Sequence, residues 1–191
     1  MQIFGSEIEI RAVDVDLSWV LGEPKEKGAN VIYVTELAKF ITGAALPPID
    51  RETLARLAIN GFLVHAGMEE KLRELGAYVE VPVSQAFEVA GEEYVLAGRA
   101  DALLRPGAQE ALLGEAVAPL VPLEIKTAPQ LMPEHVAQAS IYATILGPLS
   151  GGNSAILRIP RRGPHRLYLI RGTVDLPRAV EAYVLSLLSE P

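Results

Sequence analysis

Apolar and polar residues change rhythm along this chain, and each change marks an element. Residues 6–17, SEIEIRAVDVDL, alternate and suggest a strand. GEPKEKGAN (22–30) has the composition of a loop. VTELAKFITG predicts a short helix, with Thr35 as its N-cap and Gly43 as its stop. LPPID breaks the pattern, and Asp50 then caps a long helix that Gly76 ends. Leu54, Leu57, Ala58, Phe62, His65, Met68 and Leu72 recur at helical spacing, which puts them on one apolar face. Gly61, inside this helix, predicts the close approach of another backbone. AYVEVPVSQAFEVA and EYVLAGRADALLR, joined around GEE, form a β-hairpin. A loop or short helix fills 105–120, and VPLEIKTAP supplies another strand. PEHVAQASIYATILG is a helix with Pro133 in its first turn and Gly147 at its end. SAILRIP and HRLYLIRGT make a second hairpin around RRGP, and DLPRAVEAYVLSLL a final helix capped by Asp175. The order predicts an α/β fold, one mixed sheet flanked by helices, in a single domain over 1–191.

Composition narrows the chemistry. Half the residues are hydrophobic, enough for a sizeable core. No Cys occurs, which excludes disulfides, thiolate zinc sites and Cys nucleophiles. No apolar run reaches the ~18 residues of a membrane span, so no membrane partner and a cytoplasmic location are expected. Arg outnumbers Lys and Asn is scarce, a hint of a thermophile or GC-rich source. The net charge of −7 argues against nonspecific coating of nucleic acid. The charge is uneven, however. Arg158, Arg161, Arg162, Arg166, Arg171 and Arg178 face one acid, Asp175, within 154–178. This stretch either meets phosphates or is a solvated hairpin.

One strand carries charges that a core strand should not. In LEIKTA, Glu124 and Lys126 lie two apart and share one face, while Leu123 and Ile125 take the other. Burying such groups costs several kcal/mol unless they are paired. Asp101, in GRADALL, is also set among apolar residues. Two carboxylates and an imidazole suit a hard divalent cation, so His65, Asp101 and Glu124, with the carbonyl of Ile125, are candidate metal ligands. Lys126 then orients a water or stabilises charge on a phosphate. Plainer readings exist for each: a core histidine, an ion pair at a strand end, Tyr142 as core filler. Glu69 either lines the site or pairs with Lys71 or Arg73, and His135 is either a DNA contact or a surface residue.

GRAD followed by EIK resembles the D…ExK signature of the PD-(D/E)XK nuclease superfamily. His65 in GFLVHAGMEEKL resembles the upstream histidine motif of its RecB-like branch, and Gln138 and Tyr142 in HVAQASIYA resemble that branch's QxxxY motif. VTEL and VEVPVS are similar to segments of the CRISPR-associated RecB-like exonucleases. The resemblance spans about Val34 to Ile145. It departs from that family in lacking its four cysteines, so no iron–sulfur cluster is expected, and in having Ala100 where the superfamily name has Pro.

The resemblance implies a restriction-endonuclease-like core and a deoxyribonuclease dependent on Mg2+ or Mn2+. It would hydrolyse phosphodiester bonds in single-stranded DNA or at ends as an exonuclease, with endonuclease activity on single strands. Asp101, Glu124 and Lys126 would be catalytic, and Gln138, Tyr142, Arg158, Arg161, Arg162 and Arg166 would contact DNA. Its setting would be CRISPR adaptation, antiviral defence, or recombination and repair, with the proteins of those systems as partners. The alternatives are a catalytically silent domain of the same kind that binds DNA or a partner protein, and a small-molecule enzyme using Glu124 and Lys126 as acid and base.

Overall fold

The structure, a computed structural model, describes residues 2–3, 6–7, 30–44 and 51–189, with side chains described for 30–44 and 61–189. Strands β1 (Gln2–Ile3) and β2 (Ser6–Glu7) form a small antiparallel pair. The rest of the expected 6–17 strand, the 22–29 loop and the Asp50 cap lie outside the described residues. From Asn30 the elements are β3 (Asn30–Tyr33), α1 (Val34–Thr42), α2 (Arg51–Glu74), β4 (Tyr78–Val89), β5 (Glu92–Leu104), α3 (Pro106–Leu113), β6 (Val121–Lys126), α4 (Pro133–Leu146), β7 (Asn153–Arg158), β8 (Arg166–Arg171) and α5 (Leu176–Leu188). Both predicted hairpins form, and Asp175 caps α5 by accepting from the Arg178 N–H at 3.3 Å. The N-cap of α1 is Tyr33 rather than Thr35, because Glu36 reaches back to accept from the Tyr33 N–H at 3.3 Å.

Six strands make one mixed sheet in the order β3-β5-β6-β7-β8, with β4 on the other edge of β5. The β4–β5 turn is two residues, Ala90 and Gly91, with φ of 52° and 82°. Such mirror-image turns match the twist of the strands they join. Helices cover both faces. Leu37 of α1, Ile141 of α4 and Val180 of α5 pack over Val83, Leu96 and Leu103. Leu72 of α2 and Ala108 of α3 pack over Ala102, Leu104, Leu123 and Ile125. Each fully buried Leu or Ile there contributes about 1.5–3 kcal/mol. Leu123 and Ile125 are thus in the core as expected.

The apolar face expected along α2 holds at Leu72, which is fully buried, and fails at Phe62, which is 71% exposed. The helix runs off the core and over a cavity, so residues at one helical spacing meet different surroundings. Gly61 also departs from expectation. A Cβ there would meet the Thr127 hydroxyl at 3.7 Å, an ordinary contact with a side chain and not a backbone.

The middle of β5 positions the site. One edge of β5 pairs with β4 from Glu92 to Leu103, with a break at Asp101. The other edge is shared. β3 pairs with Tyr94 to Ala97, and β6 pairs with Ala102 to Leu104. Gly98, Arg99, Ala100 and Asp101 lie between those neighbours, with no strand beside them on that edge among the described residues. The chain leaves β3 directly into α1, and β6 diverges after Leu123. A gap of four residues opens in the sheet.

Candidate active site

Backbone groups freed at such a gap need partners, because an unpaired buried amide or carbonyl costs as much as a lost hydrogen bond. Side chains supply them here. The Ile125 N–H donates to Oδ2 of Asp101 at 2.6 Å, which ties the carboxylate to the diverging strand. The Arg99 carbonyl accepts from the Tyr142 hydroxyl at 3.1 Å. Tyr142 lies so close to β5 that a Cβ on Gly98 would come within 2.7 Å of its Oη and 2.8 Å of Val34 Cγ2. Only glycine leaves room for this approach.

Charged groups gather at the same place. Glu124 is 1% exposed. Its Oε2 accepts from Lys126 Nζ at 2.6 Å, while its Oε1 is buried with no hydrogen-bond partner. Burial and the charge of Asp101 push the Glu124 carboxyl up to about 7, against the opposing pull of Lys126. Lys126 Nζ also donates to Oε1 of Gln138 at 2.9 Å. Gln138 and Tyr142 lie one helical turn apart on the same face of α4. The tyrosine hydroxyl is held well above its ordinary pKa by burial. From α2, His65 brings Nδ1 to 3.6 Å from Oδ1 of Asp101, whose carboxylate raises the imidazole's pKa against the effect of burial.

The structure therefore brings together His65, Asp101, Glu124, Lys126, Gln138 and Tyr142. Ile125 contributes its N–H to Asp101. Among the described residues no three His, Asp or Glu side chains form a ready ion cage. A cavity of about 690 Å³ opens in front of the gap, lined by His65, Asp101, Gln138, Tyr142 and Arg99 among others.

Three expected DNA contacts are corrected. Tyr142 is 2% exposed, so its ring cannot stack on a base, and its hydroxyl is already spent on Arg99. Gln138, also buried, holds Lys126. Arg158 is 7% exposed and donates to the carbonyls of Pro129 and Pro164. It staples the loop after β6 to the β7–β8 hairpin and is not available to a phosphate. Arg161, Arg162 and Arg166 are exposed. His135 is half-buried, its pKa lowered by burial, and its Nδ1 accepts from the Met132 N–H at 3.3 Å, which caps α4.

Sequence reasoning missed Glu80 and Arg99. Glu80 falls opposite Asp101, between the pairs Val79–Ala102 and Val81–Ala100, where the ladder is interrupted, and adopts φ +55°, a conformation costly for a non-glycine residue. Its carboxylate binds Arg99 Nε at 2.7 Å. Burial, with Glu69 and Asp101 nearby, raises its pKa despite Arg99. Glu69 both lines the cavity and pairs with Arg73 at 3.5 Å, so its two expected roles coexist. The signal was available, since the Ala90-Gly91 turn sets the hairpin register and thereby the residue opposite Asp101.

The crystal structure of SSO0001 superposes on this chain with a TM-score of 0.61 and 24% sequence identity, covering 88% of this chain and 80% of that one. Likeness at that identity shows the fold. No protein-family model matches the chain, and no curated protein matches it. Among the described residues no helix is long and apolar enough to cross a membrane.

Proposed function

We propose that the chain is a metal-dependent deoxyribonuclease of the RecB-like PD-(D/E)XK kind, built as one nuclease domain on a restriction-endonuclease-like core. The observation that carries this reading is Glu124: a buried carboxylate with one oxygen on Lys126 and the other on nothing. A fold keeps an unsatisfied buried oxygen at a cost of about 1–3 kcal/mol, more when charged, and an ion that it binds in use would account for it. The donor types are those that Mg2+ or Mn2+ takes: the Glu124 and Asp101 carboxylates and the His65 imidazole, which form no ready cage here, would hold the ion by closing on it, with the Ile125 carbonyl as a further oxygen. Bound there, the ion would supply positive charge against a phosphate and lower the pKa of a water.

The chain's own groups do the rest. Lys126 has three N–H donors, of which Glu124 and Gln138 take two. The third is free to orient the attacking water or stabilise charge on the phosphate as the new P–O bond forms and the old one breaks. Gln138 fixes the ammonium in place by accepting from it, and Tyr142 ties α4 to β5 at the Arg99 carbonyl. Their role is positioning, and the expected contact with DNA from α4 passes to residues on the cavity wall. The cellular setting would be DNA processing, in CRISPR adaptation or in recombination and repair.

The test is incubation of labelled single- and double-stranded DNA with the protein in Mg2+, in Mn2+ and in chelator. The expected result is cleavage that needs the ion. DNA binding without cleavage under any of these conditions would leave a silent binding domain instead.

A further inference from the structure

Two large aromatic side chains stand in solvent at the mouth of the same cavity. Tyr33 is 55% exposed and Phe62 is 71% exposed, and both line the cavity with His65 and Asp101. Their placement follows from the elements that build the site. Tyr33 is the last residue of β3, where the sheet gap begins. Phe62 precedes His65 by three residues on α2, so the helical face that carries the imidazole also carries the phenyl ring. Exposed apolar surface costs about 25 cal/mol per Å², so two rings left out at the mouth of a cavity call for an occupant.

The cavity's chemistry identifies that occupant. Arg99 lines the same wall and its side chain is 66% exposed. Glu80 holds it through Nε, and the outer edge of a guanidinium is suited to phosphate oxygens. Flat rings, the outer edge of one guanidinium set among the Glu69, Glu80 and Asp101 carboxylates, and a volume of about 690 Å³ match a nucleotide within a strand. In a duplex both faces of each base are covered by its neighbours, so only an unpaired base offers a face to a ring.

Resting on the nuclease reading above, we propose that Tyr33 and Phe62 stack on an unpaired nucleobase beside the carboxylate site, with Arg99 on an adjoining phosphate, and that this grip selects single-stranded DNA. Selectivity then comes from the cavity mouth, and the buried carboxylates and Lys126 are indifferent to pairing.

Fluorescence anisotropy in chelator separates stacking from charge with three labelled probes: a single-stranded thymine oligomer, an abasic strand of equal length and a blunt duplex. The double variant Tyr33→Ala/Phe62→Ala changes two exposed side chains, so the fold is not at risk. It should bind the thymine oligomer about 5- to 100-fold more weakly. Binding to the abasic strand and the duplex should change less than about 2-fold, and Phe62→Trp should bind the thymine oligomer at least as well as the wild type. Equal losses on all three probes, no loss on any, or a wild type that does not prefer thymine over abasic strand would each overturn the proposal. Cleavage by the wild type in Mg2+ is scored separately. A nuclease without the base-dependent loss removes only the stacking grip, and the base-dependent loss without cleavage removes only the nuclease.

Discussion

Two regions of this molecule concentrate charge, and they use it in opposite ways. In the gap at 98–101, charge is drawn inward: Glu124 is 1% exposed, Lys126 is held by two acceptors, and Asp101 replaces a missing strand partner. In the β7–β8 hairpin, the charge is richer in sequence but mostly faces water, as at Arg161, Arg162 and Arg166. Its one buried member, Arg158, serves architecture by binding two proline carbonyls. Charge density along a chain is thus a poor guide to chemistry. Backbone groups that lose their sheet partners are a better one, because the side chains recruited there are fixed and desolvated.

Arg158→Ala sharpens the contrast most on the stability side. It removes hydrogen bonds to the Pro129 and Pro164 carbonyls, and should cost about 2–4 kcal/mol in chemical denaturation. If Arg158 were a DNA contact, its loss would leave stability nearly unchanged and weaken binding.

Glu124→Gln should act in the other direction on the metal-free protein. The folded carboxyl is raised to about 7 from an ordinary 4.5, so the folded state holds its proton more tightly than the unfolded chain. Below about pH 4.5 both states are protonated and the group costs nothing. As pH rises from there to about 7, stability falls, and above about 7 the loss is complete. The glutamine variant removes this loss. It should be more stable by about 1–3 kcal/mol at pH 8 and match the wild type near pH 4. A loss of stability at pH 8 would mean that the buried charge is compensated after all.

The smallest expected effect belongs to the exposed arginines. Arg161→Ala with Arg162→Ala should leave stability within about 0.5 kcal/mol. On single-stranded DNA it should lower the slope of log K against log salt by roughly 1 to 2. An unchanged slope would make the hairpin tip a solvated face without a part in binding.

Much of this architecture is legible in the chain because its signals are local. Pro133 and Gly147 bracket α4, Asp175 caps α5, and the turn residues mark both hairpins. The pair Glu124 and Lys126 is legible for a related reason, since a two-residue spacing on a strand puts both on one face. The failures lie where a side chain's surroundings come from distant elements. Arg158 is buried because two proline carbonyls from separate loops happen to face β7. Phe62 is exposed because α2 passes from the core onto the cavity, which no periodicity reports. Tyr142 is sealed in by Gly98 and Val34, forty or more residues away in sequence.

The central claim is that the buried pair in the gap performs phosphodiester hydrolysis, and the single-turnover rate of Lys126→Ala on saturating single-stranded DNA in Mn2+ tests it most directly. The account predicts a fall of roughly 100-fold or more in that rate, with DNA affinity within a few fold of the wild type, because one amine adds little to binding but acts on the reacting phosphate. Cleavage at the wild-type rate by Lys126→Ala would contradict it.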